Sequence, residues 1–161
     1  MAGLDVEVVA TLDAGQLESM RLPDNVRAVE FVPLNVLLPT CSAIVHHGGS
    51  GTVAAALEHA VPQLIVPAVY WSDKFYGPVA SANGLEEQGA GIYVADSDRL
   101  TAADLRAQLD RVLSEPSFEE NARRLSAEAR EVPTPNDLVP LLEGLTGRFA
   151  RPARPTKERT S

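Results

Sequence analysis

The chain has 161 residues, of which 45% are hydrophobic and 22% are charged, and this composition supplies one globular core. Its formal net charge of -8 disfavours a nucleic-acid surface, so an anionic ligand would have to be held by local groups such as the amides at a helix start. No apolar run reaches the roughly 20 residues of a membrane helix and no signal-peptide pattern is present, so a cytoplasmic protein is expected.

Five short apolar or β-branched runs predict strands. They cover residues 6–11, 26–32, 43–45, 63–66 and 91–94. Residues 52–60, which are alanine-rich and contain no helix breaker, and residues 75–83 predict helices between the later strands. Strands that alternate with helices indicate an α/β fold with a Rossmann-like parallel sheet and flanking helices. Because no strand and helix precede residue 6, the domain is expected to lack its first strand and helix.

The last third of the chain predicts three helices, because each has a recognisable start. Thr101 with Asp104 and Thr134 with Asp137 form capping patterns, and Pro116 suits a first helical position. The apolar stripes are Leu105, Leu109, Val112 and Leu113, then Phe118, Ala122, Leu125 and Ala129, then Leu138, Leu141, Leu142 and Leu145. Residues 1–146 are predicted to form one domain, and residues 147–161, which have little to bury, a disordered tail.

A glycine-rich turn joins the third predicted strand to its helix, with the sequence His46-His47-Gly48-Gly49-Ser50-Gly51-Thr52. Glycines allow positive φ and close approach of a ligand, and the free N–H groups of the following helix point at the same place. The hydroxyl groups and one histidine ring can add further donors. The turn therefore predicts an anion site that suits a diphosphate, and a tight connection without a ligand is the alternative.

Other glycine motifs do not fit these residues. A Walker loop needs a lysine, and a dinucleotide fingerprint needs an acid at the end of the next strand, which here runs into Pro67. A nucleophile elbow needs glycine where this chain has Thr52. Neighbouring histidines on a strand point to opposite faces, no carboxylate is spaced to join either, and Cys41 has no second cysteine, so we expect no metal and no cofactor.

Several linked segments resemble one family. Residues 31–39, 43–52, 60–67 and 89–91 are similar, in this order, to actinobacterial glycosyltransferases that decorate macrolides, polyketides and related natural products. Residues 121–125 and 133–135 resemble the late helices of the same family, so the resemblance runs from about Val6 to Leu145. It implies the C-terminal, nucleotide-sugar-binding half of a GT-B fold.

The resemblance also implies roles for individual residues. It places the diphosphate on His47, Gly49, Ser50, Gly51 and Thr52, the base near Phe31, Val32 and Leu37, and the sugar near Asp73 and Lys74. His46 matches a neighbouring structural position. The chain departs from the family at residues 69–71, which lengthen the loop before Asp73. Family members that use ribose nucleotides often have a glutamate early in the phosphate helix, where this chain has alanines at 54–56, and this difference favours a deoxyribose nucleotide.

The implied reaction transfers a deoxysugar from a nucleoside diphosphate, dTDP in most of the family, to an acceptor hydroxyl. No residue of this chain matches the general base, which the family supplies from an N-terminal acceptor-binding domain, so the isolated chain is expected to be inactive. Two alternatives stay open. One is a non-catalytic nucleotide-sugar-binding subunit of a split glycosyltransferase, and the other is half of a nucleotide-sugar epimerase, although no acid and base pair for epimerisation stands out. Neither nucleic acid nor membrane is an expected partner.

Overall fold

A computed structural model describes residues 5–13, 15, 21–68 and 77–149. The described strands are β1 (Val8–Thr11), β2 (Val26–Val29), β3 (Ile44–His46), β4 (Gln63–Ile65) and β5 (Gly91–Tyr93). The described helices are α1 (Leu34–Leu37), α2 (Ser50–Glu58), α3 (Pro78–Glu87), α4 (Ala102–Ser114), α5 (Pro116–Glu131) and α6 (Pro135–Phe149), and a 3-10 turn covers Leu38–Thr40. The described residues up to 129 form one compact unit and those from 130 onward another.

All strand pairs in the described residues are parallel, as the alternation of strands and helices predicts. β1 pairs with β2, and β4 lies between β3 and β5. In the second group, Gln63 is in register with Ile44 on one side and with Gly91 on the other. The predicted α/β fold is thus confirmed, with its strands divided between two hydrogen-bonded groups.

The core is built on both faces of β4, because successive side chains of a strand point to opposite sides. Leu64 packs in a buried cluster with Ile92, Leu109, Val112 and Phe118. Ile65 packs in another with Ala82, Leu85, Ala90 and Ala122. Burying a leucine or isoleucine side chain stabilises a fold by about 1.5–3 kcal/mol. A third cluster of Leu38, Ala56 and Val61 joins the 3-10 turn to α2.

The late helices begin where their capping signals predict. The Thr101 hydroxyl accepts the Asp104 N–H at 3.1 Å, and Asp137 accepts the Thr134 N–H at 2.8 Å. Pro116 is the first residue of α5. Within the predicted stripes Leu113 is 38% exposed, and the four leucines of α6 are between 40% and 58% exposed. Periodicity therefore predicted these helices correctly but not the burial of every member of their stripes.

Most element boundaries differ from the sequence prediction by one or two residues, and two elements differ by more. The strand predicted for residues 26–32 ends at Val29, because the last backbone bond of its pairing with β1 is Leu12 N–H to the Val29 carbonyl, at 3.1 Å. The helix predicted for residues 75–83 is observed as α3, which begins at Pro78, and residues 75 and 76 lie outside the described ones. Neither α1 nor the 3-10 turn was predicted from the sequence, because runs of four and three residues are too short to show a helical period.

Candidate functional site

The glycine-rich turn leads from the carboxyl end of β3 into an uncapped helix N-terminus. Gly49 is the N-cap of α2 with φ -60° and ψ 135°, and the first helical bond joins Val53 N–H to the Gly49 carbonyl at 3.0 Å. The amides of Ser50, Gly51 and Thr52 precede that bond, so no helical carbonyl can accept them. No side chain caps the helix and its first turn holds no acidic residue. The positive end of the helix dipole is therefore open to an anion.

Gly48 holds the turn against the rest of the domain. Its φ is +87°, and a Cβ there would lie 2.9 Å from both Ile65 Cγ2 and Pro78 Cβ. Glycine is required on both counts, because an L side chain rarely adopts this conformation and would have no room. The turn thus packs directly on the end of β4 and on the start of α3.

His46 is half-buried beneath the turn and bonded on both ring nitrogens. Its Nδ1 accepts the Gly48 N–H at 3.0 Å, and its Nε2 lies 3.0 Å from Gln63 Oε1. A neutral imidazole with Nδ1 as acceptor carries its proton on Nε2, which therefore donates to Gln63. Burial is the main cause that lowers the pKa of His46, and nearby His47 lowers this pKa further, against the Gln63 hydrogen bond, which raises it.

His47 lies beside the open helix start. The side chain is exposed, and its Nε2 would be 2.7 Å from a Cβ built on Gly49, so the ring covers the N-cap of α2. Ser50 and Gly51 are exposed next to it and Thr52 is half-buried. The five residues predicted to bind the diphosphate therefore occupy one continuous surface, in which a ring nitrogen and three free amides can act as donors.

The residues predicted to contact the base lie between β2 and the 3-10 turn. Phe31 is 81% exposed in the loop after β2, Val32 is half-buried, and Leu37 ends α1. Leu34, at the start of the same helix, packs against the cluster that contains Ala56 of α2. The segment is thus anchored to the helix that carries the glycine turn, with its aromatic ring left free of the core.

Comparison with known proteins decides the family. Residues 1–145 match the family described as "Erythromycin biosynthesis protein CIII-like, C-terminal domain". The chain belongs to this family. The glycosyltransferase resemblance seen in the sequence is therefore confirmed, and the site described above lies within the matched range.

The relatives are antibiotic glycosyltransferases. The chain is 58% identical to the aclacinomycin-T 2-deoxy-L-fucose transferase of Streptomyces galilaeus over 94% of its own length and 33% of the relative's. It is 48% identical to the tylactone mycaminosyltransferase of Streptomyces fradiae over 91% of its own length and 31% of the relative's. Its length is thus about a third of theirs.

A solved relative gives the fold of the matched part. The crystal structure of the glycosyltransferase VinC in complex with dTDP superposes with a TM-score of 0.79 at 43% identity, covering 91% of this chain and 36% of that one. The spinosyn forosaminyltransferase SpnP superposes with a TM-score of 0.75 at 43% identity, covering 89% and 35%. The present chain therefore corresponds to the C-terminal half of a GT-B glycosyltransferase.

The predicted sugar-binding residues and the observed site do not coincide with the described residues in full. Asp73 and Lys74, predicted to face the sugar, lie outside the described residues. Gln63 was not predicted as part of the site, although it is buried in an otherwise apolar strand. A buried polar side chain needs hydrogen-bond partners, so a glutamine in such a strand was the signal that could have identified it.

A second depression has the wrong charge for a diphosphate. It encloses about 390 Å³ at the amino ends of β1 and β2. Its lining is Asp5, Val6, Glu7, Asp24, Asn25 and Arg27. The single arginine is paired with Glu7, so carboxylates dominate the surface and would repel an anion.

No group of three or more histidine, cysteine, aspartate or glutamate side chains is arranged to hold a metal ion within residues 5–13, 15, 21–68 and 77–149. No helix in that same part of the chain is long and apolar enough to cross a membrane.

Proposed function

We propose that this chain is the donor-binding domain of a glycosyltransferase and that it holds the diphosphate of a nucleotide sugar on the turn from His47 to Thr52. The observation that carries the proposal is the uncapped start of α2, where three amides and an exposed histidine ring converge on one surface. Such a start attracts phosphate whatever the net charge of the whole protein. This matters here because the chain carries a net charge of -8.

The nucleotide we propose is a dTDP-sugar. VinC, which shares 43% identity with this chain, was crystallised with dTDP. Phe31 supplies an exposed aromatic face for a base, beside Val32 and Leu37. The first turn of α2 has no acidic residue, whereas the family resemblance implies that members using ribose nucleotides often have a glutamate early in this helix. A pyrimidine deoxyribonucleotide accounts for these features together.

The sugar we propose is a deoxysugar, bound near Asp73 and Lys74. The names of the two relatives, a 2-deoxy-L-fucose transferase and a mycaminosyltransferase, support this class. The acceptor would be the hydroxyl of a natural product, held by a separate acceptor-binding domain or subunit. That partner would also supply the general base, because no residue of this chain matches one.

The chemistry follows from where the charge develops. The acceptor oxygen forms a bond to the anomeric carbon while the bond from that carbon to the diphosphate oxygen breaks, and the hydroxyl proton passes to the base. Negative charge therefore grows on the diphosphate. With the diphosphate on the proposed site, the amides of α2 and the His47 ring would face that charge and stabilise it without reorganising.

The test is calorimetric titration of the purified chain with dTDP. His47→Ala and Thr52→Ala should each weaken binding by about 1–3 kcal/mol, the cost of a lost charge-assisted bond, and ADP should compete poorly. Phe31→Ala should weaken binding while leaving the fold intact, because the ring is already exposed. Unchanged affinity in the His47 and Thr52 variants would remove the site, and equal displacement by ADP would remove the pyrimidine assignment.

A further inference from the structure

A continuous chain of hydrogen bonds runs beneath the glycine turn. The Gly48 N–H donates to His46 Nδ1 at 3.0 Å, His46 Nε2 donates to Gln63 Oε1 at 3.0 Å, and Gln63 Nε2 donates to the Val53 carbonyl at 3.3 Å. Each group in this chain is used in only one sense, as donor or as acceptor. The tautomer of His46 and the orientation of the Gln63 amide are therefore fixed together.

Because Gln63 is buried, its side-chain amide depends on these hydrogen bonds. Gln63 is 1% exposed in the centre of the described sheet, so its oxygen and nitrogen both need partners inside the protein. Its in-register neighbour on β3 is Ile44, which places it on the same face as His46 two residues further on. The strand register thus determines that these two side chains meet.

The two ends of this chain of hydrogen bonds lie on either side of the proposed anion site in the sequence. Gly48 precedes the N-cap of α2, and Val53 is the residue whose N–H closes the first helical bond. The three free amides, from Ser50 to Thr52, lie between them. A rotation of the turn that moved these amides would break a bond at one end or the other.

We infer that His46 is a positioning residue, which holds the turn in its anion-binding shape through Gly48 and Gln63 without contacting the ligand. This inference rests on the proposed function. A turn that is already ordered loses less conformational freedom when it binds, so its loss of order lowers affinity. The lowered pKa of His46 is consistent with this role, because only the neutral ring can accept the Gly48 N–H.

Three variants separate the two bonds of the ring. His46→Asn keeps an acceptor at the position of Nδ1 but does not reach Gln63, His46→Gln reaches Gln63 without the Nδ1 acceptor, and His46→Phe removes both. The matched control is His59→Gln, a histidine at the C-cap of the same helix. We expect dTDP affinity to fall about tenfold in the phenylalanine and glutamine variants, to recover to within about threefold in the asparagine variant, and to stay unchanged in the control.

A spectroscopic measurement covers the case in which a variant fails to fold. Nitrogen-15 NMR of the unmodified chain should show the His46 proton on Nε2 and slow exchange of the Gly48 amide. A proton on Nδ1 would overturn the inference, as would a folded His46→Phe that binds dTDP as the unmodified chain does, or an asparagine variant no better than phenylalanine. If the unmodified chain binds no dTDP, the proposed function fails, and the NMR result alone then decides whether His46 orders the turn.

Discussion

Gly51 allows the charge preference of the helix start to be tested without steric interference. It is the second residue of α2, it is exposed, and a Cβ added there would meet no described atom within 4 Å outside its own helix backbone and chain neighbours. Gly51→Asp and Gly51→Asn add side chains of nearly equal shape that differ by one negative charge. The difference between the two variants therefore isolates the effect of charge.

The added charge should act in opposite directions on stability and on binding. A carboxylate in the first turn interacts favourably with the helix dipole, by about 0.3–1 kcal/mol. A carboxylate about 6 Å from a phosphate, at an effective dielectric constant of about 40–80, costs ~0.7–1.4 kcal/mol per unit of phosphate charge. For about two such charges the penalty is ~2 kcal/mol, or about 30-fold in Kd.

Two measurements on each variant decide the matter. Urea unfolding without ligand should show Gly51→Asp more stable than Gly51→Asn, and titration with dTDP should show it binding more weakly. The difference in affinity should shrink in 0.5 M salt, about where screening becomes strong over these distances. If both folded variants bind dTDP equally at low salt, no anion sits at this helix start and the diphosphate assignment is wrong.

Helix ends, protonation and turnover give three more predictions. Ala60 follows α2 with a φ of 57°, the left-handed conformation that Gly89 adopts after α3, so Ala60→Gly should raise the free energy of unfolding by about 0.5–1 kcal/mol. Gly89→Ala should lower the free energy of unfolding, because its new Cβ would lie 2.8 Å from Asn121 Nδ2. Equal urea midpoints for these variants and the unmodified chain would contradict both expectations. Because folding lowers the pKa of His46 from 6.5, the unfolded chain binds the proton at a higher pH than the folded chain, and stability falls as the pH drops below about 6.5. His46→Asn should make the free energy of unfolding in urea decline less between pH 7 and pH 5. An unchanged pH dependence in this variant would refute the prediction. The isolated chain should bind dTDP but transfer no sugar until an acceptor-binding half is added, as mass spectrometry of products can show, and turnover by the chain alone would oppose this.

Local signals predicted most of the fold. Strands buried on both faces have nearly continuous apolar sequences, so β4 and β5 were recognisable without their partners. The capping pairs at Thr101 and Thr134 act within four residues and were equally legible. The end of β2 was not, because it depends on where β1 ceases to offer a partner. The exposure of α6 likewise depends on what surrounds the helix and cannot be obtained from its periodicity.

In the candidate site too, the features set by neighbouring residues were predictable and those set by distant residues were not. The turn was predictable because glycines, hydroxyls and a helix start are adjacent in sequence. The bond between His46 and Gln63 was not, because 17 residues separate the two and only the register of β3 on β4 brings them together. Charge gave no help with either part, since the donors at the turn are mainly backbone amides and do not contribute to the net charge.

Gly48, in the proposed diphosphate surface, contacts both β4 and α3, the described elements between which Asp73 and Lys74 stand in the sequence. Gly48 packs on Ile65 at the end of β4 and on Pro78 at the start of α3. The backbone that orients the amides of α2 is therefore supported by both ends of the segment containing Asp73 and Lys74. We therefore expect a shift at Gly48 to disturb the proposed phosphate and sugar sites together, whereas a side chain added at Gly51, where there is open space, should affect binding at the proposed phosphate site without disturbing the sugar site.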